Sequence, residues 1–135
     1  MIRFFFLILI SGIFFEITYS QNAAEIFSPS SLKTEKGNSG IQIQKLSETE
    51  DVSCFLLCIH EDIKLHKHEI HSEHVMVVKG KAKMILGENE IRIRKGDLIF
   101  IPRNTPHSVT LLSKELKVIS IQAPSYDGKD KVVLE

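Results

Sequence analysis

Lys81-Ala82-Lys83-Met84-Ile85-Leu86-Gly87-Glu88-Asn89-Glu90-Ile91-Arg92-Ile93-Arg94 is the stretch whose pattern decides the fold. Ala82, Met84 and Leu86 alternate with Lys81, Lys83 and Ile85, and Ile91 and Ile93 alternate with Arg92 and Arg94. Successive side chains of a strand point to opposite faces, so a period of two gives each segment one face for a core and one for water. Gly87-Glu88-Asn89 supplies the turn signal between them. The basic stripe of Lys81, Lys83, Arg92 and Arg94 therefore reads as a solvated outer face rather than a binding site.

The same grammar extends outward. Strands are expected at 41–46, 52–60, 63–68, 73–79, 81–86, 90–94, 98–102, 107–112 and 116–123, separated by Gly80, Lys95-Gly96-Asp97 and Arg103-Asn104-Thr105-Pro106. Pro102 and Pro106 cannot donate to a ladder, which makes the piece between them a loop at a sheet edge. Short strands without a helical pattern point to an all-β sandwich or barrel. The expected inward positions Val75, Val77, Ala82, Met84, Ile99, Ile101 and Val109 are uniformly apolar, which favours a dry pocket for a small ligand.

The N-terminus reads differently. Arg3, an apolar run from Phe4 to Phe15 and then Thr18-Tyr19-Ser20 form the pattern of a signal peptide over 1–20, cleaved before Gln21. A spanning helix needs about 20 predominantly apolar residues, and Ser11, Gly12, Glu16 and Thr18 interrupt this run, so no stable membrane anchor is expected after cleavage. The expected destination is the periplasm or the medium. Residues 21–40 read as a flexible lead-in, 41–123 as a single all-β domain and 124–135 as a C-terminal tail. The 17 Lys plus Arg balance 17 Asp plus Glu, so nothing argues for a nucleic-acid partner. Cys54 and Cys58 would share a strand face about 13 Å apart, from about 3.3 Å per residue, too far for a disulfide; they read as small buried hydrophobes.

Six histidines occur, and five lie between His60 and His74. On a strand, His66 and His68 project to one side at roughly 7 Å spacing, which suits two ligands of one ion. A third ligand must come from a neighbouring strand. Glu73 shares the inward parity of Val75 and Val77, and His107 opens a later strand across the barrel. By the same parity His74 faces outward, while His71 falls in the connecting loop and reads as exposed and ordinary. His60 ends a buried strand; Tyr126 and Cys58 are the remaining candidates for an acid or base, and no catalytic side chain is assigned.

These residues resemble the two motifs of the cupins. His66-Lys67-His68, four residues, Glu73, six residues and Gly80 match the first at every required position. Gly96, five residues, Pro102, Arg103, Asn104, two residues and His107 match the second, with Asn104 where the family has Gly; Asn is the usual substitute where a turn needs positive φ. His60 and Leu111 depart from the pattern at positions that are not ligands in the family. The resemblance covers about 41–123 and implies a jelly-roll β-barrel, often assembled as a homodimer, with one divalent transition metal held by His66, His68, Glu73 and His107. Three imidazoles and a carboxylate are compatible with Mn, Fe, Co, Ni, Cu or Zn, and an octahedral ion would keep two positions open for a small-molecule substrate. Two functions follow as expectations. One is an enzyme of dioxygenase, isomerase or lyase type acting on a small oxygen-rich molecule; the other is a non-catalytic scavenger or sensor. Because imidazole ligates only when neutral, the ion is expected to be lost as pH falls through about 6 to 5.

Overall fold

The computed structural model describes residues 24–28 and 39–134, so the signal-peptide reading of 1–20 lies outside the described residues. Among the described residues ten strands follow one another: β1 Ile41–Glu48, β2 Ser53–Ile59, β3 Ile63–His68, β4 Ser72–Lys79, β5 Lys81–Leu86, β6 Asn89–Arg94, β7 Leu98–Ile101, β8 His107–Leu111, β9 Leu116–Ala123 and β10 Lys131–Val133. All the expected strands are present with ends moved by at most about two residues, the ordinary uncertainty of element boundaries. The stretch expected as a C-terminal tail also contributes a strand. Residues 131–133 pair antiparallel with β3, matching Lys131 to His68 and Val133 to His66.

The strands form two five-stranded antiparallel sheets, ordered β1-β2-β9-β4-β7 and β10-β3-β8-β5-β6, in the jelly-roll arrangement. Ile59, Val77, Ala82, Met84, Ile93, Ile99, Ile101, Val109, Leu116 and Val118 fill the space between them. Fully burying a Val, Leu or Ile stabilises by roughly 1.5–3 kcal/mol, and a one-residue slip would turn a whole strand's apolar set to water. Alternation therefore fixes register. Lys81, Arg92 and Arg94 lie exposed on the outer face, as the period of two requires.

Two backbone positions carry the chain between sheets. Gly80 alone links β4 to β5, with φ +89°. A Cβ there would lie 2.2 Å from the Glu115 carbonyl oxygen, so the motif glycine answers to both a left-handed backbone and a close approach. Asn104 takes φ 62° in the β7–β8 loop, the conformation for which Asn replaces Gly. Its amide donates to the His68 carbonyl at 2.6 Å, which ties this loop to the end of β3.

Candidate metal centre

The centre begins with cross-strand pairing. His66 on β3 lies directly opposite His107 on β8, and their ring centroids are 4.1 Å apart. His68, two residues on and facing the same way, brings its ring centroid to 5.2 Å from His66 and 5.5 Å from His107. One ligand atom from each of the three lies within 4.8 Å of the others, a spread that one ion can span. All three side chains are buried.

The ring orientations favour ligation. His66 Nδ1 donates to the Lys64 carbonyl at 2.8 Å, and His107 Nδ1 donates to the Thr105 carbonyl at 3.0 Å. A carbonyl only accepts, so in both rings Nδ1 carries the proton and Nε2 keeps its lone pair free.

Glu73 comes from the opposite sheet. Its Oε1 accepts from Ser120 Oγ at 2.5 Å and Gln122 Nε2 at 3.5 Å, while Oε2 lies 3.7 Å from His107 Nε2. One carboxylate oxygen is thus anchored and the other is turned toward the histidines. Ser120 and Gln122 had no place in the sequence reading. Their signal was parity, because they continue the inward-facing series of Leu116 and Val118 with polar side chains, and both are buried.

His71 is a correction. Expected in an exposed loop, it is only 2% exposed, and its Nδ1 lies 2.7 Å from Asp130 Oδ2. The same oxygen accepts the amides of Ile70 at 3.1 Å and His71 at 3.2 Å. The physical reason is non-local: the segment expected to be a tail returns to β3 and places a carboxylate over the β3–β4 turn. His74 is exposed as expected, its ring 4.8 Å from that of Phe100. His60 lies 3.7 Å from Glu115 and does not line the cavity described below. Cys54 and Cys58 are free thiols, and Cys58 is buried.

The electrostatics follow from burial. Desolvation, and then the neighbouring His107, push His66 down to about 3; desolvation and then His71 lower His68. Burial alone would raise Asp130, but the His71 and Ile70 amide hydrogen bonds more than offset it and hold the carboxyl below its usual range. Desolvation and then Asp130 raise the Tyr126 phenol, so it stays protonated.

The histidines open onto a cavity of about 130 Å³ between the sheets, walled mostly by apolar side chains including Val75, Met84, Ile101 and Val109. At about 30 Å³ per liquid water, the space suits about four waters or one small molecule. Gln122, Tyr126 and Lys131 add polar groups to the lining, and Gln122 Oε1 has no hydrogen-bond partner among the described residues.

Comparison with known proteins joins this geometry to a family. Residues 55–122 match the Cupin domain family model. An uncharacterized protein of Aquifex aeolicus is 33% identical over 118 residues, covering 82% of this chain and 98% of its own length. The chain belongs to the cupin family. Among solved structures, KdgF from a Halomonas species superimposes with a TM-score of 0.67 at 23% identity, covering 78% of this cupin and 97% of that chain. Quercetin 2,3-dioxygenase of Bacillus subtilis is 34% identical over 59 residues, which cover 44% of this cupin and 18% of the dioxygenase. The first likeness concerns the fold, and the second is confined to a short part of a larger enzyme.

Proposed function

We propose that this cupin is an exported protein that holds one divalent transition metal through His66, His68, Glu73 and His107 and acts on a small oxygen-rich molecule. The observation that carries the reading is three buried imidazole ligand atoms within 4.8 Å of one another, faced by a carboxylate from the other sheet. Mn, Fe, Co, Ni, Cu and Zn all accept that donor set; a bound ion supplies Lewis-acid or redox chemistry at positions the protein leaves open.

The chain's own residues set the rest. Lys64 and Thr105 carbonyls orient two rings, Ser120 and Gln122 fix the carboxylate, and the apolar walls exclude bulk water and limit the ligand's size. Tyr126 donates a hydrogen bond toward a ligand oxygen, and Gln122 Oε1 accepts one. The similarity to a short part of quercetin 2,3-dioxygenase supports chemistry of the dioxygenase type, with isomerase and lyase types as the other members of the reading.

A second reading, a non-catalytic scavenger or sensor, is supported by the scarcity of acid or base groups in the lining apart from the four ligands, Tyr126 and Lys131. A homodimer fits either reading: Leu98 at 60% and Phe100 at 53% exposure, with Met76 and Ile121 beside them, leave an apolar patch at the edge of the first sheet.

The test is to load the protein with Co²⁺ and titrate in a small hydroxamate, a bidentate oxygen ligand. A saturable shift of the visible absorption bands is expected. A spectrum unmoved at saturating hydroxamate would contradict open coordination positions and leave only metal storage.

A further inference from the structure

We propose that Asp130 is a positioning residue for His68, and that through it metal occupancy and the docking of strand β10 form one coupled equilibrium; this rests on the metal-binding reading above. Buried polar atoms without a hydrogen-bond partner among the described residues include His68 Nδ1 and Asp130 Oδ1, and these two lie 3.4 Å apart. The carboxylate has no freedom to turn away. Its Oδ2 is held by the Ile70 amide, the His71 amide and His71 Nδ1, so Oδ1 stays facing His68. His66 and His107 each have a carbonyl acceptor for Nδ1–H, and His68 has Asp130 in that place. Ligation through Nε2 makes the Nδ1–H a stronger donor, and a carboxylate is its strongest acceptor.

The coupling arises from where Asp130 sits. It immediately precedes β10, whose residues pair with His68, Lys67 and His66, and its carbonyl accepts the Glu69 amide at 3.3 Å. Further on, the Leu134 amide donates to the Leu65 carbonyl at 2.9 Å. The strand is three residues long at a sheet edge, and none of its side chains is fully buried, so apolar burial does little to hold it. The buried carboxylate is its anchor. Whatever factor Asp130 adds to metal affinity, the metal returns to β10 docking, because linkage is reciprocal.

His68, His71 and Asp130 also bring ligand atoms within 4.8 Å of one another, which raises a second ion as the rival arrangement. Against it, His71 Nδ1 and Asp130 Oδ2 are already committed to each other, and His68 is shared with the first centre.

The experiment is a chelator-competed Co²⁺ titration of the full chain, of D130N and of a chain ending at Lys129, with amide exchange of Glu69, Ile70, His71 and Leu134 measured with and without metal. In D130N the amides of Ile70 and His71 keep the side-chain carbonyl, which leaves an NH₂ group facing His68. Expected are one equivalent in the full chain, affinity lower by about 10–100-fold in both variants, and slower exchange on metal addition in the full chain alone. Thermal melting of the metal-free variants separates lost folding from lost affinity. In Zn²⁺-loaded, ¹⁵N-histidine-labelled protein, a slowly exchanging downfield His68 Nδ1–H resonance tests the contact without any variant. Unchanged affinity in folded D130N, or exchange indifferent to metal, would overturn the proposal. Two equivalents falling to one in D130N would overturn it in favour of a second ion. No metal in the full chain would overturn the proposed function itself, and this inference with it.

Discussion

His66 and His107 are held by peptide carbonyls two residues behind them, at 2.8 and 3.0 Å, whereas His68 and His71 share a carboxylate delivered by the far end of the chain. The first arm is built from local strand geometry and one cross-strand register. The second depends on a segment that must fold back before either ring has a partner. A site so divided should fail in two distinct ways.

The largest effect is expected in the second arm. His71→Ala removes a buried imidazole donor to Asp130 and leaves the carboxylate under-bonded, which should cost about 3 kcal/mol in the metal-free protein. Chemical denaturation measures it. A cost near zero would restore the reading of His71 as an ordinary residue without a structural role and break the comparison.

Next comes acidity. His66 has a folded pKa of about 3 against an ordinary 6.5, so below about pH 6.5 the unfolded chain binds a proton that the folded chain refuses. Stability of the metal-free protein should therefore fall as pH drops from 6.5 toward 3. Asp130, depressed below its usual 3.8, adds a loss of the same sign at the acid end of that window. Since protons compete poorly for His66, metal release should move below about pH 5, lower than ordinary imidazoles imply. Melting curves and metal content across pH 7 to 4 check both. Full release by pH 6 would contradict the buried first arm.

The smallest effect sharpens the contrast. His74→Ala, three residues from His71 but exposed against Phe100, should change stability by less than about 0.5 kcal/mol and leave metal affinity untouched.

The two arms also differ in what the sequence discloses. His66, His68 and Glu73 were legible because strand parity and motif spacing are local. Gly80 and Asn104 were legible because positive φ selects few residue types. His107 needed only the second motif. The burial of His71 and the role of Asp130 are not legible, since residues 124–130 carry no strand periodicity and β10 is three residues long. Such a strand exists because of what it pairs with, and no window of local sequence contains the partner. Ser120 and Gln122 lie between these cases, visible in hindsight as polar residues at core parity.

The proposed site should hold one divalent metal ion through four protein ligands. Elemental analysis of the purified protein, beside His66→Ala and His107→Ala, tests it most directly. About one equivalent of a divalent transition metal, absent from both variants, is the predicted result. A metal-free protein that stays empty after reconstitution, or variants that retain the full equivalent, would contradict it.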